Sequence, residues 1–194
     1  GSHMVKVCLF VADGTDEIEF SAPWGIFKRA EIPIDSVYVG ENKDRLVKMS
    51  RDVEMYANRS YKEIPSADDF AKQYDIAIIP GGGLGAKTLS TTPFVQQVVK
   101  EFYKKPNKWI GMICAGTLTA KTSGLPNKQI TGHPSVRGQL EEGGYKYLDQ
   151  PVVLEENLIT SQGPGTAMLF GLKLLEQVAS KDKYNAVYKS LSMP

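Results

Sequence analysis

Cys114 is the residue around which chemistry can be organised. It closes the apolar run Trp109-Ile110-Gly111-Met112-Ile113, and Ala115-Gly116-Thr117-Leu118 lead from it straight into a helical pattern. A nucleophile on a sharp strand-to-helix turn, flanked by small residues that avoid clashes, is the arrangement of a nucleophile elbow. A helix N-terminus at that point is expected to stabilise the thiolate and lower the thiol's pKa. Cys8 sits instead within Val5-Lys6-Val7-Cys8-Leu9-Phe10-Val11, where a free thiol behaves as a small buried hydrophobe.

Three further stretches carry polar groups that could serve such a nucleophile. In Ala12-Asp13-Gly14-Thr15-Asp16-Glu17-Ile18-Glu19-Phe20, Asp16 suits an N-cap and Glu17 a first helical turn. Glu19, between Ile18 and Phe20, is harder to place as a surface charge, although a solvated first-turn glutamate is the simpler reading. The glycine run Ile79-Pro80-Gly81-Gly82-Gly83-Leu84-Gly85-Ala86 matches the loose dinucleotide fingerprint at Gly81, Gly83 and Ala86. It does not follow the first strand, however, and the acidic residue at the right distance, Glu101, falls inside a helix. A P-loop is excluded because no Gly-Lys-Ser/Thr follows. What remains is an oxyanion site, in which glycines let backbone N–H groups approach developing charge. In Ile130-Thr131-Gly132-His133-Pro134 a single imidazole is by itself more often structural than catalytic, but any Cys-His pairing must use it.

These residues need elements to position them. Residues 5 to 12, 34 to 40, 75 to 80 and 109 to 113 read as buried strands, and 17 to 30, 92 to 105, 116 to 124 and 165 to 180 as helices. The βαβ rhythm predicts an α/β fold with a mostly parallel sheet and helices on both faces, whose ligands bind outside the carboxyl ends of the strands. Alternation across residues 46 to 57 about Ser50-Arg51-Asp52 suggests a hairpin inserted at the sheet edge, and 151 to 161 suggests another. Residues 182 to 191 have helical spacing and are expected to pack on the body or on a partner.

The chain has 194 residues, 42% hydrophobic and 23% charged, the composition of an ordinary globular unit. Residues 4 to 194 are expected to form one domain, with residues 1 to 3 a tag remnant. Lys plus Arg number 23 against 22 Asp plus Glu, a net charge of +1, so no basic block points to nucleic acid. No apolar run approaches the roughly 20 residues that span a bilayer. Two cysteines provide no disulfide framework, and without C-x-x-C or clustered histidines there is no metal site to expect.

Asp13-Gly14-x-Asp16-Glu17-x-Glu19, Ser50-Arg51-Asp52, Ile79-Pro80-Gly81-Gly82, Ile113-Cys114-Ala115-Gly116, Thr131-Gly132-His133-Pro134 and Ser161-Gln162-Gly163-Pro164-Gly165-Thr166 occur in order along the chain. In these motifs it resembles the ThiJ/PfpI superfamily, in the DJ-one branch. The resemblance implies a flavodoxin-like doubly wound sheet and a homodimer, with Cys114 as nucleophile and Glu19 as a protonated carboxyl bonded to it. It further implies Gly82 and Ala115 as the backbone donors of an oxyanion hole, and His133 as the histidine near the cysteine. Protease-like relatives place His directly after the nucleophile; here Ala115 follows, which argues against peptidase activity.

The implied activity is that of a glutathione-independent glyoxalase converting methylglyoxal to lactate, with deglycase activity on glycated amines also proposed for the branch. A small 2-oxoaldehyde would be the substrate and no cofactor would be needed. The expected location is the cytoplasm, extending to the nucleus. The competing readings are an oxidative-stress sensor that stores a sulfinate on Cys114 and a redox-regulated chaperone. An apolar first helix (Phe20, Ala22, Trp24, Ile26, Phe27), richer than one sheet face needs, agrees with a dimer and would set Arg51 near its interface.

Overall fold

The computed structural model describes residues 3–126 and 129–194, so the tag-remnant reading falls partly on residues outside those described. Among the described residues eleven strands occur in chain order: β1 (Val7–Val11), β2 (Ile34–Tyr38), β3 (Leu46–Lys48), β4 (Glu54–Tyr56), β5 (Arg59–Ser60), β6 (Ile76–Ile79), β7 (Trp109–Ile113), β8 (Gln129–Ile130), β9 (Lys146–Tyr147), β10 (Val152–Glu155) and β11 (Leu158–Ser161). The helices are α1 (Glu17–Arg29), α2 (Ala67–Gln73), α3 (Gly83–Thr91), α4 (Pro93–Tyr103), α5 (Leu118–Thr122), α6 (Arg137–Glu142), α7 (Ala167–Val178) and α8 (Lys181–Ser190).

The main sheet has seven strands in the order β10-β11-β7-β6-β1-β2-β5. Every neighbouring pair is parallel except β10 with β11. Strand periodicity divides the core in two. Cys8 and Phe10 of β1 face a layer containing Phe70, Val98 and Phe102, while Val7, Leu9 and Val11 face Phe27, Phe170 and Leu174. Alternate side chains of a strand leave opposite faces of the sheet, so helices on both sides are required. α1, α7 and α8 cover one side, and α2 to α6 supply the other. This is the flavodoxin-like doubly wound α/β fold expected from the sequence.

Strand order reverses about β1, which has β2 on one side and β6 on the other. The loops after β1 and β6 therefore diverge and open a crevice at the carboxyl end of the sheet, with β7 delivering its own C-terminus alongside. Asp16 fixes the first loop by accepting from the N–H groups of Ile18 at 2.9 Å and Glu19 at 3.0 Å. The loops are also bonded to one another: Asp16 N–H donates to the Gly81 carbonyl at 3.0 Å, and Ser50 N–H to that of Thr15 at 2.9 Å.

The structure adds helices α2 and α6 and the β8–β9 pair to the expected elements, and departs from them elsewhere. β3 and β4 form a separate two-stranded sheet, and the main sheet's edge is completed by β5, two residues too short to show a period. The segment at 151–161 is a hairpin, but its second strand joins β7 in parallel as an inner strand. The glycine run after β6 does not remain loop: helix α3 begins at Gly83, within it.

Candidate active site

Cys114 follows β7 with φ 62°, a left-handed conformation that a residue with a side chain rarely adopts. Such a conformation costs on the order of 1–3 kcal/mol and persists because neighbours impose it. Here the Cys114 carbonyl accepts from the Thr117 hydroxyl at 2.8 Å and from the His133 N–H at 3.3 Å. A 3-10 turn over Cys114–Thr117 then runs into α5. The elbow expected from the sequence is present, and Cys114 is partly exposed while Cys8 is buried.

Glu19 is fully buried, so the solvated first-turn reading does not hold. Its Oε1 accepts the Gly81 N–H at 2.8 Å, its Oε2 is buried with no hydrogen-bond partner among the described residues, and the Cys114 side chain lies close enough to bear on the carboxyl's acidity. Burial, and after it the negative charge of Asp16, push the Glu19 carboxyl up to about 7, against the opposing influence of the Cys114 side chain and the Gly81 N–H.

The thiol departs from the expectation of a lowered pKa. Burial first, and then the Glu19 carboxylate, push Cys114 up to about 12, against the N–H groups of Ala115 and Gly82 that bond to it. The short 3-10 turn offers little helix dipole to offset these effects. Two acids in one pocket cannot readily both ionise, so between about 7 and 12 the pair holds one proton and one negative charge.

The N–H groups of Gly82 and Ala115, the two expected as oxyanion donors, lie close enough to Cys114 to favour its charged form. Gly82 has φ 94°, and a Cβ on it would stand 2.2 Å from the Gly14 carbonyl oxygen. No other residue type can bring that N–H to the site without moving the first loop. Gly81 lies between the two acids for a related reason, since a Cβ there would meet both of them.

His133 joins the site differently from Cys114 and Glu19. Its backbone N–H reaches the Cys114 carbonyl, whereas its Nδ1 accepts from Ser135 N–H at 3.1 Å. Among the described residues its ring makes no hydrogen bond to the sulfur. Sequence reasoning missed Gly81 as the spacer, Ser135 on the histidine, and Thr117 on the elbow. It also missed the clamp by Glu17, whose carboxylate accepts from Ser50 Oγ at 2.9 Å, Arg51 N at 2.7 Å and Val53 N at 3.3 Å. Among the described residues no cluster of His, Cys, Asp and Glu could hold a metal ion.

Residues 5–177 match the DJ-1/PfpI family. The glutathione-independent glyoxalase DJR-1.2 of Caenorhabditis elegans is 32% identical over 185 residues, covering 95% of this chain and 94% of the relative. Among solved structures, a mutant of Schizosaccharomyces pombe DJ-1 is 99% identical with a TM-score of 0.98, over 98% of this chain and 100% of that one. Drosophila melanogaster DJ-1beta superposes with a TM-score of 0.89 at 31% identity, over 99% of this chain and 100% of that one.

Proposed function

The chain belongs to the DJ-1/PfpI family, and from that premise we propose that it is a glutathione-independent glyoxalase converting methylglyoxal to lactate through Cys114. The observation that carries this reading is the Glu19–Cys114 pair, a fully buried carboxyl set against the nucleophile across Gly81, with burial raising its pKa and the Gly82 and Ala115 N–H groups beside the thiol. The C. elegans relative named as such an enzyme supports the substrate class.

In the proposed reaction the Cys114 thiol first gives its proton to the Glu19 carboxylate, so that the pair's single negative charge lies on sulfur and its proton on Glu19. The thiolate adds to the aldehyde carbon, the C–O π electrons move to oxygen, and the Gly82 and Ala115 N–H groups bind that oxygen. Glu19 gives it a proton, which completes the hemithioacetal and leaves Glu19 a carboxylate. That carboxylate removes the hydrogen from the same carbon, forming an enediolate, and returns it to the adjacent carbon. The hydroxyl proton passes to the second oxygen, leaving a lactoyl thioester on Cys114. Water adds to the thioester carbonyl, lactate leaves, and the thiol is restored. The net change is methylglyoxal plus water to lactic acid, with no cofactor in the balance.

We assign the chemistry to one unit spanning residues 4–194 that works as a homodimer. Incubation with methylglyoxal without glutathione, followed by chiral assay of lactate, tests the reading. Wild type is expected to turn over, Cys114→Ala to be inactive, and Glu19→Gln to be nearly so while accumulating a hemithioacetal visible by mass spectrometry. Wild-type turnover in Cys114→Ala would overturn the mechanism. A second reading rests on the partial exposure of Cys114 beside a carboxyl that can remain protonated: mild peroxide would store a sulfinate there, with Glu19 as its donor. Stoichiometric loss of thiol without lactate would favour that sensor.

A further inference from the structure

We infer that Ser135 holds His133 as its Nε2–H tautomer, and that His133 serves as a hydrogen-bond donor to a substrate oxygen rather than as the base that deprotonates Cys114. The kinetic consequence rests on the glyoxalase reading; the tautomer rests on hydrogen-bond geometry alone.

A backbone N–H can only donate. Ser135 N–H lies 3.1 Å from His133 Nδ1 and points at it, so Nδ1 must offer a lone pair, and the proton of the neutral ring sits on Nε2. Ser135 Oγ lies 2.7 Å from the same nitrogen, and its hydroxyl completes the arrangement by donating as well. The geometry is a cap: His133 is the N-cap of the 3-10 turn Pro134–Val136. Pro134 has no N–H to offer, so Ser135 N–H is the first donor that the cap has to satisfy.

The surrounding loop is fixed on both sides of the ring. The Tyr147 hydroxyl donates to the Gly132 carbonyl at 2.7 Å, and Val136 N–H closes on the His133 carbonyl at 2.9 Å. The Arg137 guanidinium stacks over Tyr147, 4.9 Å from the ring centroid.

Such a ring has no vacant lone pair. Nδ1 is engaged by Ser135 and Nε2 carries hydrogen, so the imidazole cannot take the Cys114 proton without surrendering its cap. The proton transfers are then left to Glu19. What His133 offers is Nε2–H, a donor suited to the second oxygen of the substrate as the enediolate forms. The electron pair released from the C–H bond moves into the new carbon–carbon π bond, that oxygen takes up the charge, and the Nε2–H binds it without leaving nitrogen.

The tautomer is read from the imidazole 15N NMR signals of the full chain near pH 8, with His133 assigned by comparison with His133→Gln. The expected spectrum has a protonated Nε2 and an unprotonated, acceptor-type Nδ1. Ser135→Ala removes the hydroxyl but keeps the N–H, so it should leave the wild-type pattern in place, whereas Ser135→Pro, which has no N–H to donate, should mix the tautomers. A wild-type ring protonated on Nδ1, or an unchanged Ser135→Pro spectrum, overturns the assignment to Ser135.

The role is read from two further measurements. His133→Gln puts an amide N–H in place of Nε2–H without basicity, and should keep lactate formation within about tenfold of wild type, whereas His133→Ala should lose about 10²-fold. If Gln falls as far as Ala, the ring works by accepting a proton and the donor role is wrong. Neither variant should move the pH midpoint of Cys114 alkylation, and a shift in both would identify His133 as the thiol's base. If wild type forms no lactate, the glyoxalase reading fails while the NMR and alkylation results still decide the inference.

Discussion

Glu19 and Cys114 face each other across a residue with no side chain: a Cβ at Gly81 would stand 2.5 Å from Glu19 Oε1 and 2.7 Å from Cys114 Cβ. Both distances are below van der Waals contact, so the acid and the nucleophile meet only because residue 81 is glycine. Gly81→Ala must push them apart or rotate the loop after β6. Displacement of catalytic groups by about 1 Å can cost 10²-fold, and a loss of at least that size in kcat/KM is expected with circular dichroism unchanged. Near-wild-type turnover in a folded Gly81→Ala protein would show that the pair does not act as a unit.

Where the pair keeps its negative charge can be measured by alkylating Cys114 across a pH series. With the charge on sulfur, reactivity rises through the first ionisation near 7, and Glu19→Gln moves that midpoint upward because an amide stabilises a thiolate less well than a carboxylic acid does. With the charge on Glu19, the thiol ionises only near 12, and the same substitution moves the midpoint down by removing the like charge. The upward shift is the expected result.

Much of this site was legible before the structure. A strand ending in Cys-Ala-Gly specifies the elbow, since small residues there have little reason except close approach, and a parallel sheet covered on both faces followed from runs too apolar for one-sided strands, while its flavodoxin-like order came from the family resemblance. The fate of Glu19 was only half legible: Ile18 and Phe20 hinted at burial, but the N–H that makes burial tolerable comes from Gly81, 62 positions away. The thiol's acidity was misjudged because a local pattern shows the turn and not the opposing carboxylate. Strand β5 was invisible for a simpler reason, as two residues carry no periodicity.

Stability should also report on Glu19. Its folded pKa of about 7 lies above the ordinary value of 4.5, so between those values the folded chain holds a proton that the unfolded chain has released. Raising the pH through that window therefore destabilises the fold, by about 3 kcal/mol in all, and the favourable contribution is complete only below 4.5. Glu19→Gln lacks the titration, so its stability relative to wild type should climb from pH 4.5 to 7.5 in urea unfolding. A difference that stays constant across that range would mean that the carboxyl is not held protonated.

A structural lysine offers an independent check on the core. Lys108 is buried, and its Nζ donates to the Ala71 carbonyl at 2.6 Å, to the Tyr74 carbonyl at 2.8 Å and to Asp75 Oδ1 at 3.2 Å, closing the C-terminal end of α2. Burial opposes the charge on Asp75, but bonds from Lys6 N–H, His3 and Lys108 outweigh it and hold that carboxyl below its ordinary range. Lys108→Met keeps the aliphatic stem, takes the lysine cation away from the Asp75 carboxylate and leaves two helix-terminal carbonyls without their donor. A loss of roughly 3 kcal/mol is expected, read as a lower urea midpoint. Unaltered stability would mean that the carbonyls find water instead.

The proposed homodimer can be tested through the surface that α1 shares with the β3–β4 hairpin. Ile18 is 57% exposed, Val53 52% and Tyr56 67%, and Phe20, Trp24, Met49 and Met55 line a groove of about 290 Å³ beside them. Apolar side chains grouped in this way lose favourable burial unless a surface of matching shape covers them. The hairpin is also held in place for such a role, because Glu17 binds Ser50, Arg51 and Val53 together from the first turn of the helix that carries Glu19. Packing at the interface would therefore bear on the site through α1 and would bring Arg51 toward the partner. Light scattering at micromolar concentration should give twice the chain mass of 21.4 kDa. Val53→Glu, which buries an unpaired charge only if the hairpin is covered, should shift the mass toward one chain and lower lactate formation with it. A wild-type mass of one chain, or a Val53→Glu protein that stays dimeric, would remove this surface as the interface.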